Sequence, residues 1–154
     1  MIRLSKLADY GVVLMTHIAT CADDMHTAHA VAEATRIPEP TASKILKTMA
    51  RAALLDSHRG ASGGYTLARL PADIRITEII IAVDGPIALT SCLDAEGTDC
   101  SLITTCPTRT NWQTINDAIH RALDEVSLAD MMGPMAAFIP PFERREQLQR
   151  DIQP

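Results

Sequence analysis

Residues 36–67 read RIPEPTASKILKTMARAALLDSHRGASGGYTL, and the fold turns on them. Pro38 and Pro40 stop any preceding helix and make a stiff turn. Pro40 then suits the first turn of a new helix. From there TASKILKTMARAAL places Ile45, Leu46, Met49 and Leu54 on an inner side and leaves Ser43, Lys44, Lys47 and Arg51 outside. The following LLDSHRGASGGYTL reads as strand, glycine-rich turn, strand, with Gly60, Gly63 and Gly64 giving the tip its backbone freedom. A basic-faced helix followed directly by a hairpin is the second half of a winged helix-turn-helix. Arg59, beside the tip, has the charge to enter a minor groove, where narrow width concentrates negative potential. A solvated basic face is the plainer alternative.

The flanking segments supply the remaining elements. Residues 4–20 repeat apolar side chains at 4, 7, 8, 12, 14, 15, 18 and 19, a helical stripe. Thr27 caps a short second helix running to about Thr35. Cys21, after the first stripe, reads as a small core residue. Residues 76–84 form another short apolar helix, ended by Gly85-Pro86. Residues 108–125 give a long helix whose apolar positions 112, 115, 119, 122 and 123, with 126 just beyond, make one seam. That seam suits packing against a second copy, with packing inside the chain as the alternative. The segment 133–154 has four prolines and mixed charge and reads as a loosely ordered tail. The expected fold is mainly α with a small β-hairpin. A winged helix-turn-helix domain spans 1–84, a cysteine loop 85–107, a dimerisation helix region 108–131 and a flexible tail 132–154.

Bulk composition agrees with such a chain. Its 154 residues suffice for one small domain with an attached oligomerisation element. Aromatics are only 3%, so the core must be aliphatic, which leans toward helix. No apolar run is long enough to span a membrane, and MIRLSKLADYG is no signal peptide, so the expected location is the cytoplasm. The net charge of −5 is unevenly spread. Residues 1–70 carry eight Lys/Arg against six Asp/Glu, whereas 71–154 carry six against thirteen. Nucleic-acid binding depends on a local patch, so overall acidity does not exclude it. No catalytic constellation is visible, and the serines lack a nucleophile-elbow context. The chain is not expected to be an enzyme.

Three of the four cysteines, Cys92, Cys100 and Cys106, fall within fifteen residues. In a reducing compartment such clusters are more often metal-binding or redox-active than structural disulfides. Structural zinc sites favour tight Cys-x-x-Cys knuckles, which are absent here. Gaps of seven and five residues fit an iron–sulfur cluster loop better. Zinc and a reversible thiol switch remain open on spacing alone.

RLSKLADYGVV at the start, LLDSHRGASGGYTLAR in the wing, ITEIIIAVDGPIALTSC and the tryptophan helix after CPT together resemble the IscR/NsrR-type family of winged-helix repressors. Within it, the chain is most similar to regulators of SUF-type iron–sulfur assembly operons. The resemblance covers residues 1 to about 131. It implies a homodimer that reads a palindromic operator in double-stranded DNA. It places Pro40, Thr41, Ser43, Lys44 and Lys47 on the DNA-facing part of the recognition helix, and Arg59 and Gly60 at the wing contact. It implies that Cys92, Cys100 and Cys106 hold an iron–sulfur cluster, 2Fe-2S or 4Fe-4S. One branch of the family adds a histidine three residues after the last cysteine. Arg109 stands there and cannot ligate, because a guanidinium stays protonated. The other branch uses an aspartate near the N-terminus of the second subunit, and Asp9 matches that position. The implied ligand set is therefore three cysteines and Asp9 of the other copy.

Overall fold

The computed structural model describes residues 3–60, 63–93, 100–101 and 104–133. The first helix, α1, runs Lys6–Thr20, with the Ser5 hydroxyl accepting from the Ala8 N–H to cap it. α2 follows at Ala28–Thr35, capped by Thr27 as its sequence implies. The turn into the next helix passes through Arg36 at φ 57°, a left-handed residue that ends α2. α3 spans Glu39–Arg51 with Pro40 in its first turn, where the missing N–H costs no helical bond.

Leu54 is buried, as the apolar pattern requires, but it lies beyond the end of α3. The chain reverses at Ala53, φ 56°, and the Leu54 N–H donates to the Met49 carbonyl at 3.0 Å. The hairpin then forms from β1, Leu55–His58, and β2, Gly64–Leu67, with Leu55 opposite Leu67 and His58 opposite Gly64. His26, in the α1–α2 connection, exchanges backbone hydrogen bonds with Tyr65 at 2.9 and 2.8 Å, which ties the wing to the helical body. That approach dictates glycine at 64, where a Cβ would stand 2.6 Å from the His26 carbonyl oxygen.

A 3-10 turn at Pro71–Asp73 leads to α4, Ile76–Asp84. The core is aliphatic and sulfur-rich. Leu14, Met15 and Ile18 of α1 meet Val31, Leu46, Met49, Leu54, Leu55, Ile74 and Ile79, all essentially closed to water. Leu4 and Leu7, counted in the α1 stripe, are instead 48% and 39% exposed. Leu4 precedes the Ser5 cap and so lies outside the helix.

The long helix, α5, covers Arg109–Asp124. It agrees with the expected helix over 108–125 to within a residue at each end. The chain breaks at Glu125 and forms a further helix, α6, Leu128–Met132, too short for an apolar period to announce it. Ser127 and Asp130 cap it reciprocally. Backbone bonds from Ile76 to Val126 (3.0 Å) and from Leu128 to Ile74 (2.8 Å) return it to the body, and α6 packs on α1. Met132 closes α6, and 134–154, the rest of the expected tail, lie outside the described residues. The long helix is thus held by the domain at its C-terminal end.

Candidate nucleic-acid interface and cysteine segment

α3 divides its residues sharply. Ala42, Ile45, Leu46 and Met49 are buried, and Pro40, Lys44, Lys47 and Arg51 are exposed. Thr41 and Ser43 are half-buried at the margin. Lys44, Lys47 and Arg51, spaced three and four apart, share one face. The hairpin begins only four residues after α3 ends, and Arg59 and Gly60 stand exposed at its tip. Gly60 has φ 114°, a conformation that side-chain-bearing residues avoid. The expected reading-helix and wing residues therefore form a helix and an adjoining tip, both open to solvent.

One acidic group belongs to this surface. Glu39, in the first turn of α3, accepts a hydrogen bond from His29 Nδ1 on α2 at 2.9 Å. The hydrogen bond and charge of Glu39 raise the His29 pKa above 6.5 against a small opposing effect of burial, with Glu33 adding to the rise. When protonated, His29 offsets the Glu39 carboxylate on this otherwise basic face. No pattern in the sequence announces this pair, because its members are ten residues apart on two helices.

The cysteines are placed differently from one another. Cys92 is buried, and its Sγ lies 3.2 Å from Thr90 Oγ1. Cys106 sits just before the N-terminus of α5, with Sγ 3.5 Å from Thr108 Oγ1. The Thr108 hydroxyl, then backbone groups of Thr108 and Arg109 and the Arg109 guanidinium, hold the Cys106 thiol below its usual pKa despite a small opposing desolvation. Thiolate is the form that binds metals and attacks disulfides. Cys100 is half-buried, and all four cysteines are free. Cys21 is exposed after the last turn of α1, which corrects the expectation of a core residue; the helix ends before the cysteine could turn inward. Asp9 is exposed on α1.

Among the described residues no three His, Cys, Asp or Glu side chains gather as a metal group. The donors nevertheless suit an iron–sulfur cluster: three unpaired thiols, one of them biased toward thiolate. Residues 94–99 and 102–103, which join them, lie outside the described residues.

Between α4, residues 85–89 and α5 lies a cleft of about 330 Å³, lined by Ile80, Asp84, Ile87, Leu89, Ile119 and Leu123 among others. Ile119 and Leu123 of α5 are half-buried, whereas Trp112 and Ile115 are 40% and 45% exposed. The single seam expected on α5 is therefore split. Its C-terminal half packs within the chain, and its N-terminal half is the more exposed among the described residues. Asn116, between the two halves, bonds the backbone of Ile87 and Leu89. A polar residue amid apolar positions of one stripe was its only sequence signal.

Residues 4–134 match the family pattern described as Rrf2, iron-dependent transcriptional regulator. The chain belongs to the Rrf2 family. The HTH-type transcriptional regulator IscR of Aliivibrio salmonicida is 30% identical over 131 residues, covering 84% of this chain and 77% of that protein. Among solved structures, T. potens IscR superposes with a TM-score of 0.64 at 28% identity, covering 93% of this chain and 96% of that one. CymR, the global cysteine regulator of B. subtilis, gives 0.67 at 26%, covering 86% and 97%. The Rrf2 assignment makes the protein a transcriptional regulator and not an enzyme, and it agrees with the IscR/NsrR-type resemblance. It also accounts for the mainly α fold with one hairpin. Among the described residues, no helix is long and apolar enough to cross a membrane.

Proposed function

We propose that this Rrf2 protein is a cytoplasmic homodimeric repressor that reads a palindromic operator and senses iron–sulfur status through residues 92–106. The observation that carries the reading is the joining of two parts in one chain: an open basic helix with its wing, and free thiols at the root of α5. Pro40, Thr41, Ser43, Lys44 and Lys47 would address the major groove, and Arg59 and Gly60 the minor groove. Cys92, Cys100 and Cys106 would hold the cluster, with Asp9 of the second copy as fourth ligand. Trp112 and Ile115 would supply apolar contact between the copies. When bound, the cluster would tie the three cysteines to one anchor at the root of α5. Control of SUF-type assembly genes is the target this reading favours.

Anaerobic purification with absorption spectra and iron and sulfide counts tests the cofactor. Asp9→Ala should change the cluster spectrum; an unchanged spectrum rules Asp9 out. A gel shift across salt concentrations tests the interface. Affinity should fall steeply with salt, and Lys44→Ala or Lys47→Ala should weaken binding to all sequences and flatten that slope by about one. Arg59→Ala should instead relax sequence preference.

A second reading, a thiol switch on the same scaffold, is favoured by the depressed pKa of Cys106. A colourless protein without labile sulfide, whose operator affinity changes on disulfide formation, would select it.

A further inference from the structure

Asn116 faces the stretch of backbone that leads into the first cysteine. Its Oδ1 accepts from the Leu89 N–H at 3.1 Å, and its Nδ2 donates to the Ile87 carbonyl at 3.0 Å. The opposite amide orientation would set a donor against a donor and an acceptor against an acceptor, so the pair of bonds selects one orientation. Residues 87–90 are half-buried and belong to no strand, so their polar groups need partners from elsewhere. Leu89 is three residues from Cys92. The chain between them is tight: Leu93 N–H donates to the Thr90 carbonyl at 3.0 Å, and Thr90 Oγ1 touches Cys92 Sγ.

The far side of the clamp is equally defined. Thr77 Oγ1, on α4, donates to Asp124 Oδ1 at the end of α5 at 2.6 Å, and Ser5 Oγ donates to Asp84 Oδ1 at 2.7 Å. α4 and α1 pack directly on one another. A movement at Cys92 therefore meets α5 through two hydrogen bonds from one side chain, and α5 is in turn fixed to the DNA-reading body.

We propose that Asn116 is the positioning residue through which the state of the cysteine segment sets the placement of α5, and so the affinity of the dimer for DNA. The inference rests on the sensor reading above. A ligand shifts affinity elsewhere only by favouring one of two arrangements, and Asn116 is where those arrangements would differ.

The test uses the full chain, anaerobically loaded and cluster-free, with a duplex that the wild type selects from a random-sequence library. The wild type should bind this duplex with affinities at least tenfold apart in the two states. Asn116→Ala should load the same iron and sulfide with the same absorption spectrum, yet show a ratio under threefold. Asn116→Asp, which keeps the acceptor for Leu89 but sets a carboxylate oxygen against the Ile87 carbonyl, should also show a ratio under threefold and decides the matter if the alanine variant melts early. A folded, fully loaded variant of either kind that keeps the wild-type ratio overturns the inference and leaves the sensor reading standing. A wild type that takes up no iron, or binds equally in both states, overturns the sensor reading and the inference with it.

Discussion

Ala53 holds a left-handed φ of 56° in the reversal between α3 and β1, where its methyl crowds the backbone. Ala53→Gly relieves that crowding and loses some unfolded-state restriction, so a net gain of up to about 1 kcal/mol is expected in thermal or urea unfolding. Unchanged or lower stability would show that the turn is not strained. His29 offers a second residue-scale prediction. Its folded pKa is raised, chiefly by the hydrogen bond to Glu39. The charged pair is therefore fully present below His29's unfolded value of 6.5 and is lost as pH climbs through the raised folded value. DNA affinity should fall over that same rise, as Glu39 loses its counter-charge. Glu39→Gln should return the His29 titration, followed by NMR, to the ordinary range and remove this component of the pH profile. Neither residue was singled out by pattern, because a left-handed alanine and a cross-helix pair leave no periodic trace.

At the scale of elements, the winged helix was legible because each part carries local signals. Thr27 caps α2 and Pro40 opens α3, both as expected, and the glycines around 60–64 turn the hairpin. The junction of α4 with α5 was not legible. Thr77, 2% exposed, donates to Asp124 across forty-seven residues of sequence. Thr77→Val keeps the shape and removes this charge-assisted bond, so a loss of about 1.5–3 kcal/mol is expected in urea unfolding. A cost near zero would mean the contact contributes nothing to holding α5. Glu78 adds a smaller support. Burial works against its charge, but the Arg69 guanidinium at 2.6 Å and the Arg75 N–H at 2.9 Å hold its pKa below the usual carboxylate value.

For the molecule as a whole, the split of the α5 stripe is the informative feature. Leu123 packs against the core and Ile119 lines the cleft beside it, whereas Trp112 and Ile115 are among the exposed large apolar side chains of the described residues. On the proposed homodimer, Trp112→Asp with Ile115→Asp should give a monomer in sedimentation velocity, with the far-UV spectrum of the helices retained. Operator affinity should drop by at least tenfold, because a single half-site forfeits the second set of contacts. A double variant that stays dimeric would move the interface elsewhere.

What the sequence by itself determined were the properties set by near neighbours: helix caps, proline breaks, the hairpin turn, the basic face of α3 and the crowding of three cysteines. These follow from backbone stereochemistry and from side-chain period, which act over a few residues. Only the tertiary structure decided which half of α5 is covered, where α6 returns, and that Asn116 grips the approach to Cys92. Those outcomes depend on segments far apart in sequence competing for the same apolar surface and the same unpaired backbone groups, and no local pattern records who wins.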